Sequence, residues 1–123
     1  TKYNCYNLKN IKDNRGDFIE LAKSINQGQF SFFSIKPGET RGHHYHDSKV
    51  EKFFVVRGFA RFEMINLINN KKISFLLNHN QPKVIESIPG YIHKIKNIGK
   101  SEAIVFLWSN EIFNVNKPDT FQI

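Results

Sequence analysis

Residues 38–58 read Gly38-Glu39-Thr40-Arg41-Gly42-His43-His44-Tyr45-His46-Asp47-Ser48-Lys49-Val50-Glu51-Lys52-Phe53-Phe54-Val55-Val56-Arg57-Gly58, and this stretch decides the fold. In an extended strand, residues i and i+2 project to one face. His44 and His46 are therefore expected to point into one cavity, with His43 and Tyr45 pointing away. Glu51 opens the next strand, and an antiparallel neighbour brings its carboxylate beside the two imidazoles. Imidazole is a favoured ligand of zinc, iron, copper and nickel. Two histidines and a carboxylate on facing strands make a three-point cradle for a divalent cation. His93 follows the turn at Pro89-Gly90 and starts another strand, which a closed barrel places across the cavity, so it is the expected fourth ligand. A lone histidine on a strand is more often a surface or hydrogen-bonded residue. The pairing of His44 with His46, joined by Glu51 and His93, carries the metal reading.

Outward from this stretch the chain is a series of short apolar runs separated by turn residues. Phe30–Ile35 ends at Pro37-Gly38, Lys49–Arg57 ends at Gly58, and Phe59–Leu67 precedes a hairpin turn at Asn69-Asn70. Lys72–Leu77, Lys83–Ile88, Tyr91–Ile98 and Glu102–Trp108 follow, the last three separated by Pro89-Gly90 and Gly99-Lys100. Short strands at this spacing predict an all-β sandwich or barrel. Phe18–Ser24 reads either as a short helix or as an edge strand, and the tail from Asn114 to Ile123 is expected to wrap the surface. Trp108 is expected in the core, and His43 and His79 at the surface.

A chain of 123 residues closes one hydrophobic core, so residues 1–123 read as a single domain. Twelve phenylalanines favour pleated, half-buried surfaces. The net charge of +7 comes from 18 basic and 11 acidic residues. It fits either a lysine-rich composition or attraction to an anionic ligand such as a phosphorylated small molecule. The basic residues are scattered, which argues against nucleic acid. No apolar run approaches the about 18–20 residues that span a bilayer, so no membrane partner is expected. The one cysteine, Cys5, has no internal partner, and a reducing cytoplasm is the expected compartment. The chain begins at Thr1, as expected of a processed chain or one cut from something longer.

The spacing of Gly38, His44, His46, Glu51 and Gly58 resembles the first half of the cupin signature at every position. Gly90, His93 and Asn97 resemble its second half, with Pro89 displaced by one and Pro82 where a glycine is usual. The resemblance implies a double-stranded β-helix, or jelly-roll, with a metal inside. A closer resemblance is to the C-terminal cupin domain of CapF-type (WbjC-like) capsular polysaccharide biosynthesis enzymes. It rests on Asp13–Glu20, Gly28–Gly38, Gly42–Gly58, Pro89–Asn97 and Trp108–Thr120, of which Asn110–Phe113 and Lys117–Thr120 are the most specific.

That resemblance implies a zinc-holding domain, with iron, manganese or nickel suited to the same donors. It implies a 3-epimerase acting on a UDP-linked 4-keto-6-deoxy-N-acetylhexosamine by removing the proton next to the ketone. An NADPH-dependent reductase domain belongs to the same pathway, and this chain has no room for one. It reads as an excised cupin half or a free-standing relative. Tyr91, two residues before His93, should share its face and is the candidate proton carrier, or else an aromatic core filler. Arg41 and Lys49, beside the ligand loop, are candidates for a diphosphate. Lys52, next to Glu51, should face away. Two rivals stand: an iron cupin dioxygenase, and a non-catalytic sugar-nucleotide-binding module. A homodimer is expected, because Phe53 with Val55 and Phe54 with Val56 make both faces of one strand apolar.

Overall fold

A computed structural model describes the backbone of residues 5–45, 49–111 and 121–122, and the side chains of 5–42 and 49–111. The strands are β1 (Asn10–Asp13), β2 (Gly16–Ser24), β3 (Gly28–Ile35), β4 (Thr40–Tyr45), β5 (Glu51–Arg57) and β6 (Phe59–Asn66). They continue with β7 (Lys72–Asn78), β8 (Val84–Ser87), β9 (Tyr91–Asn97), β10 (Ala103–Ser109) and β11 (Phe121–Gln122). One sheet runs β1-β2-β3-β10-β5-β8 and the other β11-β4-β9-β6-β7, and the pairings are antiparallel. Consecutive strands β3, β4, β5 and β6 alternate between the sheets, which is how a jelly-roll closes.

Alternation explains which side chains meet between the sheets. On β5 the buried residues are Glu51, Phe53 and Val55, while Lys52 is exposed. Phe33 and Ile35, Ala103 and Val105, Ala60 and Phe62, Ile95, Leu77 and Ile85 complete the core from six other strands. Phe53 packs on Phe62 at 5.0 Å between ring centroids and on Phe33 at 6.5 Å. The abundance of phenylalanine has a second outlet on the outer face of the first sheet. There Phe106 meets Phe30 and Phe32 edge-on, at 5.6 and 6.3 Å.

Three expectations are refined. Phe18–Ser24 lies within strand β2 and is not a helix; β1 pairs with it only at Phe18 and Ile19, so the edge-strand alternative describes the remainder, 20–24. Trp108 is not a core residue: it is half-buried, with its indole N–H donating to Gln27 O at 3.0 Å and Lys52 Nζ 5.7 Å from its ring. Its place on β10, three positions from Val105, puts it on the opposite face from that core side chain. His79 is half-buried, and its Nδ1 accepts the Gly58 N–H at 3.0 Å, bracing the β5–β6 turn. The tail expected to wrap the surface, Asn114 to Ile123, lies outside the described residues apart from the backbone of 121–122, and the side chains of His43, His44 and His46 lie outside them as well.

Strand β4 carries an irregularity that matters for the site. Its register against β9 runs Arg41↔Ile95 and Gly42↔Lys94, then slips so that His44 stands opposite His93. Gly42 permits this: its φ is +95°, and a Cβ there would sit 2.8 Å from His93 O.

Candidate functional site

Between the sheets lies a cavity of about 560 Å³, within the about 300–1,000 Å³ usual for small-molecule sites. Glu51 and His93 line it, and so do Arg41 and Lys49. All four are buried, with relative exposures of 6%, 2%, 8% and 6%. Four buried ionisable groups in one cavity of a 123-residue chain is the strongest sign of function in the molecule.

Glu51 and His93 come together from different sheets. Glu51 Oε1 is 3.4 Å from His93 Nε2. His93 is fixed on every other side: Phe62 stacks on its ring at 5.9 Å and 5°, Phe53 lies at 5.5 Å, and Nδ1 is 2.8 Å from Ser87 Oγ. This geometry fits a shared cation. Donors at about 2.0–2.2 Å from one tetrahedral ion stand about 3.4 Å apart, whereas a strong charge-assisted hydrogen bond is about 2.7–2.9 Å. His44 takes the register position opposite His93, which brings the backbone of the third expected ligand to the same place. Among the described residues, no group of three or more His, Cys, Asp or Glu is placed to hold a metal. The side chains of His44 and His46 lie outside that description. Nothing in the spacing of the sequence singles out Ser87. Its role emerges from the β5–β8 register, where it stands directly opposite Glu51.

Arg41 enters the cavity from β4. Its Nε donates to Ser34 O and its Nη2 to Asp17 O, both at 3.1 Å, and the guanidinium lies 5.2 Å from the centroid of Phe33. Burial, reinforced by the like charge of Arg15, pulls its pKa below the usual arginine value. It remains a cation, held by carbonyls in the cavity wall. Phe18 stacks on Phe33 at 6.0 Å and 4°, adding an apolar surface to the same wall. Tyr91 is placed differently. It stands two positions before His93, opposite Asn66, with its hydroxyl accepting from Asn66 Nδ2 at 3.3 Å, and it is not among the described residues lining the cavity.

At the exposed end, the β1–β2 hairpin is latched by Arg15 on Asp13. The Arg15 N–H donates to Asp13 Oδ1 at 2.8 Å and Nη2 to Oδ2 at 2.6 Å. These hydrogen bonds, the side-chain ones foremost, hold the Asp13 carboxyl well below the usual carboxylate range. A depressed carboxylate stabilises the fold above its unfolded pKa and loses that contribution as pH falls through the lower folded value. Asp13 is therefore expected to stay ionised below the usual carboxylate range, and Arg15→Ala to return it to the ordinary value near about 3.9. Carbon-13 NMR of the Asp13 carboxyl checks both, and an unshifted titration in the wild type would refute the latch.

The comparisons with known proteins agree with this architecture. The polysaccharide biosynthesis C-terminal domain family matches residues 11–121. A UDP-2-acetamido-2,6-beta-L-arabino-hexul-4-ose reductase from Pseudomonas aeruginosa is 42% identical over 116 residues, covering 94% of this chain and 31% of that protein. The capsular polysaccharide assembling protein CapF from Staphylococcus aureus is 34% identical with a TM-score of 0.93, covering 97% of this chain and 32% of that one. The chain thus spans about a third of the length of these relatives. The Drosophila melanogaster CENP-C cupin domain, at 17% identity and a TM-score of 0.66, covers 81% of this chain and 73% of its own and shares the fold alone. Solved neighbours of the fold include one with Mn(II) centres. By its fold this chain is a cupin, and it belongs to the polysaccharide biosynthesis C-terminal domain family.

Proposed function

We propose that this chain holds a divalent metal, zinc first among the candidates, and inverts C3 of a UDP-linked 4-keto-6-deoxy-N-acetylhexosamine during the making of a capsular or surface polysaccharide. The observation that carries this reading is the cavity itself, where buried Glu51 and His93 share space with buried Arg41 and Lys49. The family match and the sugar-nucleotide chemistry named for the Pseudomonas relative support it.

The chemistry needs little of the protein. A ketone at C4 acidifies the C3 proton, a base removes it to leave an enediolate, and a proton returns to the other face. Glu51 and His93, with His44 and His46, would hold the cation, which when bound polarises the keto oxygen. Arg41 and Lys49 supply positive charge for the diphosphate. The Phe18–Phe33 wall excludes water and takes the apolar face of the sugar. Of the candidates named from the sequence outside the ligand set, Lys49 lines the cavity, whereas Tyr91 reaches Asn66. A homodimer in the cytoplasm belongs to the same proposal; the exposed Phe30 and Val56 on the outer face of the first sheet support the pairing alone.

The test is deuterium uptake at C3, followed by proton NMR in heavy water with the metal-loaded chain and the keto-sugar nucleotide. Exchange is expected, and it should disappear in His44→Ala. Exchange that persists in that variant would leave the epimerase but give the metal a structural role. No exchange above the buffer rate would sink the epimerase and leave a sugar-nucleotide-binding module. Tyr91→Phe is expected to keep exchange. A loss of about 10²-fold or more would assign the proton to Tyr91.

A further inference from the structure

Ser87 carries none of the roles in the proposed reaction, yet it is among the most buried of the described residues at 1% exposure. It ends β8, the edge strand of the first sheet, and stands opposite Glu51 in the β5–β8 ladder. Its Oγ reaches 2.8 Å to His93 Nδ1 on the other sheet. The two sheets are thus joined behind the cavity-lining His93 through one hydroxyl and one imidazole.

A neutral imidazole has one N–H, and the partner of one nitrogen decides which nitrogen carries it. Here Nδ1 has the short contact, at 2.8 Å, and Nε2 faces Glu51 Oε1 at the longer 3.4 Å. The Ser87 hydroxyl can accept from an Nδ1–H or donate to a bare Nδ1; in the first arrangement the Nε2 lone pair is turned toward Glu51 and the cavity. The opposite tautomer would spend Nε2 on Glu51 as a donor and leave no lone pair for a cation. With Phe62 and Phe53 against the ring, rotation cannot exchange the two nitrogens without repacking the core.

We propose that Ser87 is a positioning residue that fixes His93 as its Nδ1–H tautomer and so keeps Nε2 ready for the metal. The inference rests on the proposed metal role of His93. Hydroxyl, carboxylate or carbonyl partners of this kind set the orientation and basicity of ligating histidines, and their loss typically lowers metal affinity about 10–100-fold.

Two measurements separate this inference from the reading beneath it. Long-range proton–nitrogen NMR of the metal-stripped, nitrogen-15 histidine-labelled protein at alkaline pH reads the His93 tautomer without any metal. The wild type is expected to show Nδ1–H, Ser87→Ala a mixture or the other tautomer, and Ser87→Thr, which keeps a hydroxyl, the wild-type pattern. An Nε2–H wild type, or a Ser87→Ala spectrum unchanged from it, would overturn the proposal. Chelator competition with Zn(II) then reads affinity, where a loss of about 10–100-fold in Ser87→Ala, restored in Ser87→Thr, is expected. Equal zinc affinity in wild type and Ser87→Ala would also overturn it. A wild type that takes up no zinc, manganese or iron would refute the metal reading itself, whatever the tautomer.

Discussion

Replacing Asn97 by alanine is expected to lower the unfolding free energy by about 3–4 kcal/mol and the melting temperature by about 10–15 °C. The side chain is completely buried. Its Nδ2 donates to Ile35 O at 2.7 Å and Ser101 O at 2.8 Å, and its Oδ1 accepts the Gly99 N–H at 2.8 Å. Alanine leaves two carbonyls and one N–H without these partners, each with a desolvation penalty of about 1–3 kcal/mol that relaxation and water entry partly offset. The main chain of Asn97 adds reach: its N–H donates to Glu39 O and its carbonyl accepts from Gly38, both at 3.0 Å. One residue therefore ties β9 to the end of β3, to the start of β4 and to its own following turn. Asn97→Asp is expected to be no milder, because a carboxylate oxygen would face the two carbonyls. Urea denaturation checks both, and a loss under about 1 kcal/mol in Asn97→Ala would show that the turn holds without it.

Arg41→Met is the second large effect, and it splits function from stability. Removing a buried charge that binds an anion typically costs about 2–5 kcal/mol of affinity, so binding of UDP is expected to weaken at least about 30-fold. Stability moves in neither direction by more than about 1 kcal/mol. The carbonyls of Ser34 and Asp17 lose their donors, but an expensive desolvated cation is replaced by an apolar side chain of similar length. Arg41→Lys keeps the charge and loses the fork that grips both carbonyls, so it is expected to recover only part of the affinity. Calorimetric titration with UDP reads the first effect and thermal unfolding the second. UDP affinity equal to wild type in Arg41→Met would move the anion end of the site away from β4.

Much of the barrel was legible before the structure. The runs at Phe30–Ile35, Lys72–Leu77 and Tyr91–Ile98 lie within a residue or two of β3, β7 and β9, because alternation and Gly or Pro punctuation are local signals. Phe18–Ser24 was ambiguous because a short apolar run fits a helix or a strand equally well. Its pairing with both β1 and β3 settles it, and that is information from distant sequence. Trp108 went to the outer face for the same kind of reason: only its cross-strand neighbours, Phe30 and Lys52, show which side it takes. In the site, Glu51 and His93 follow from spacing and Arg41 and Lys49 from their place beside the ligand loop, and all four line the cavity. Ser87 could not be, since its contact to His93 spans two sheets and matches no motif.

The slip in β4 at Gly42 makes chain length part of the site. Arg41 and His44 are an odd number of residues apart, yet they stand opposite Ile95 and His93, which lie two apart on β9 and both line the cavity. Deleting His43 would restore a regular ladder and reverse the parity of everything on one side of the cut. Insertions and deletions between Arg41 and Glu51 should therefore be far less tolerated than substitutions at His43, and a homologue's gap placement there would be a better guide to a working site than its percentage identity.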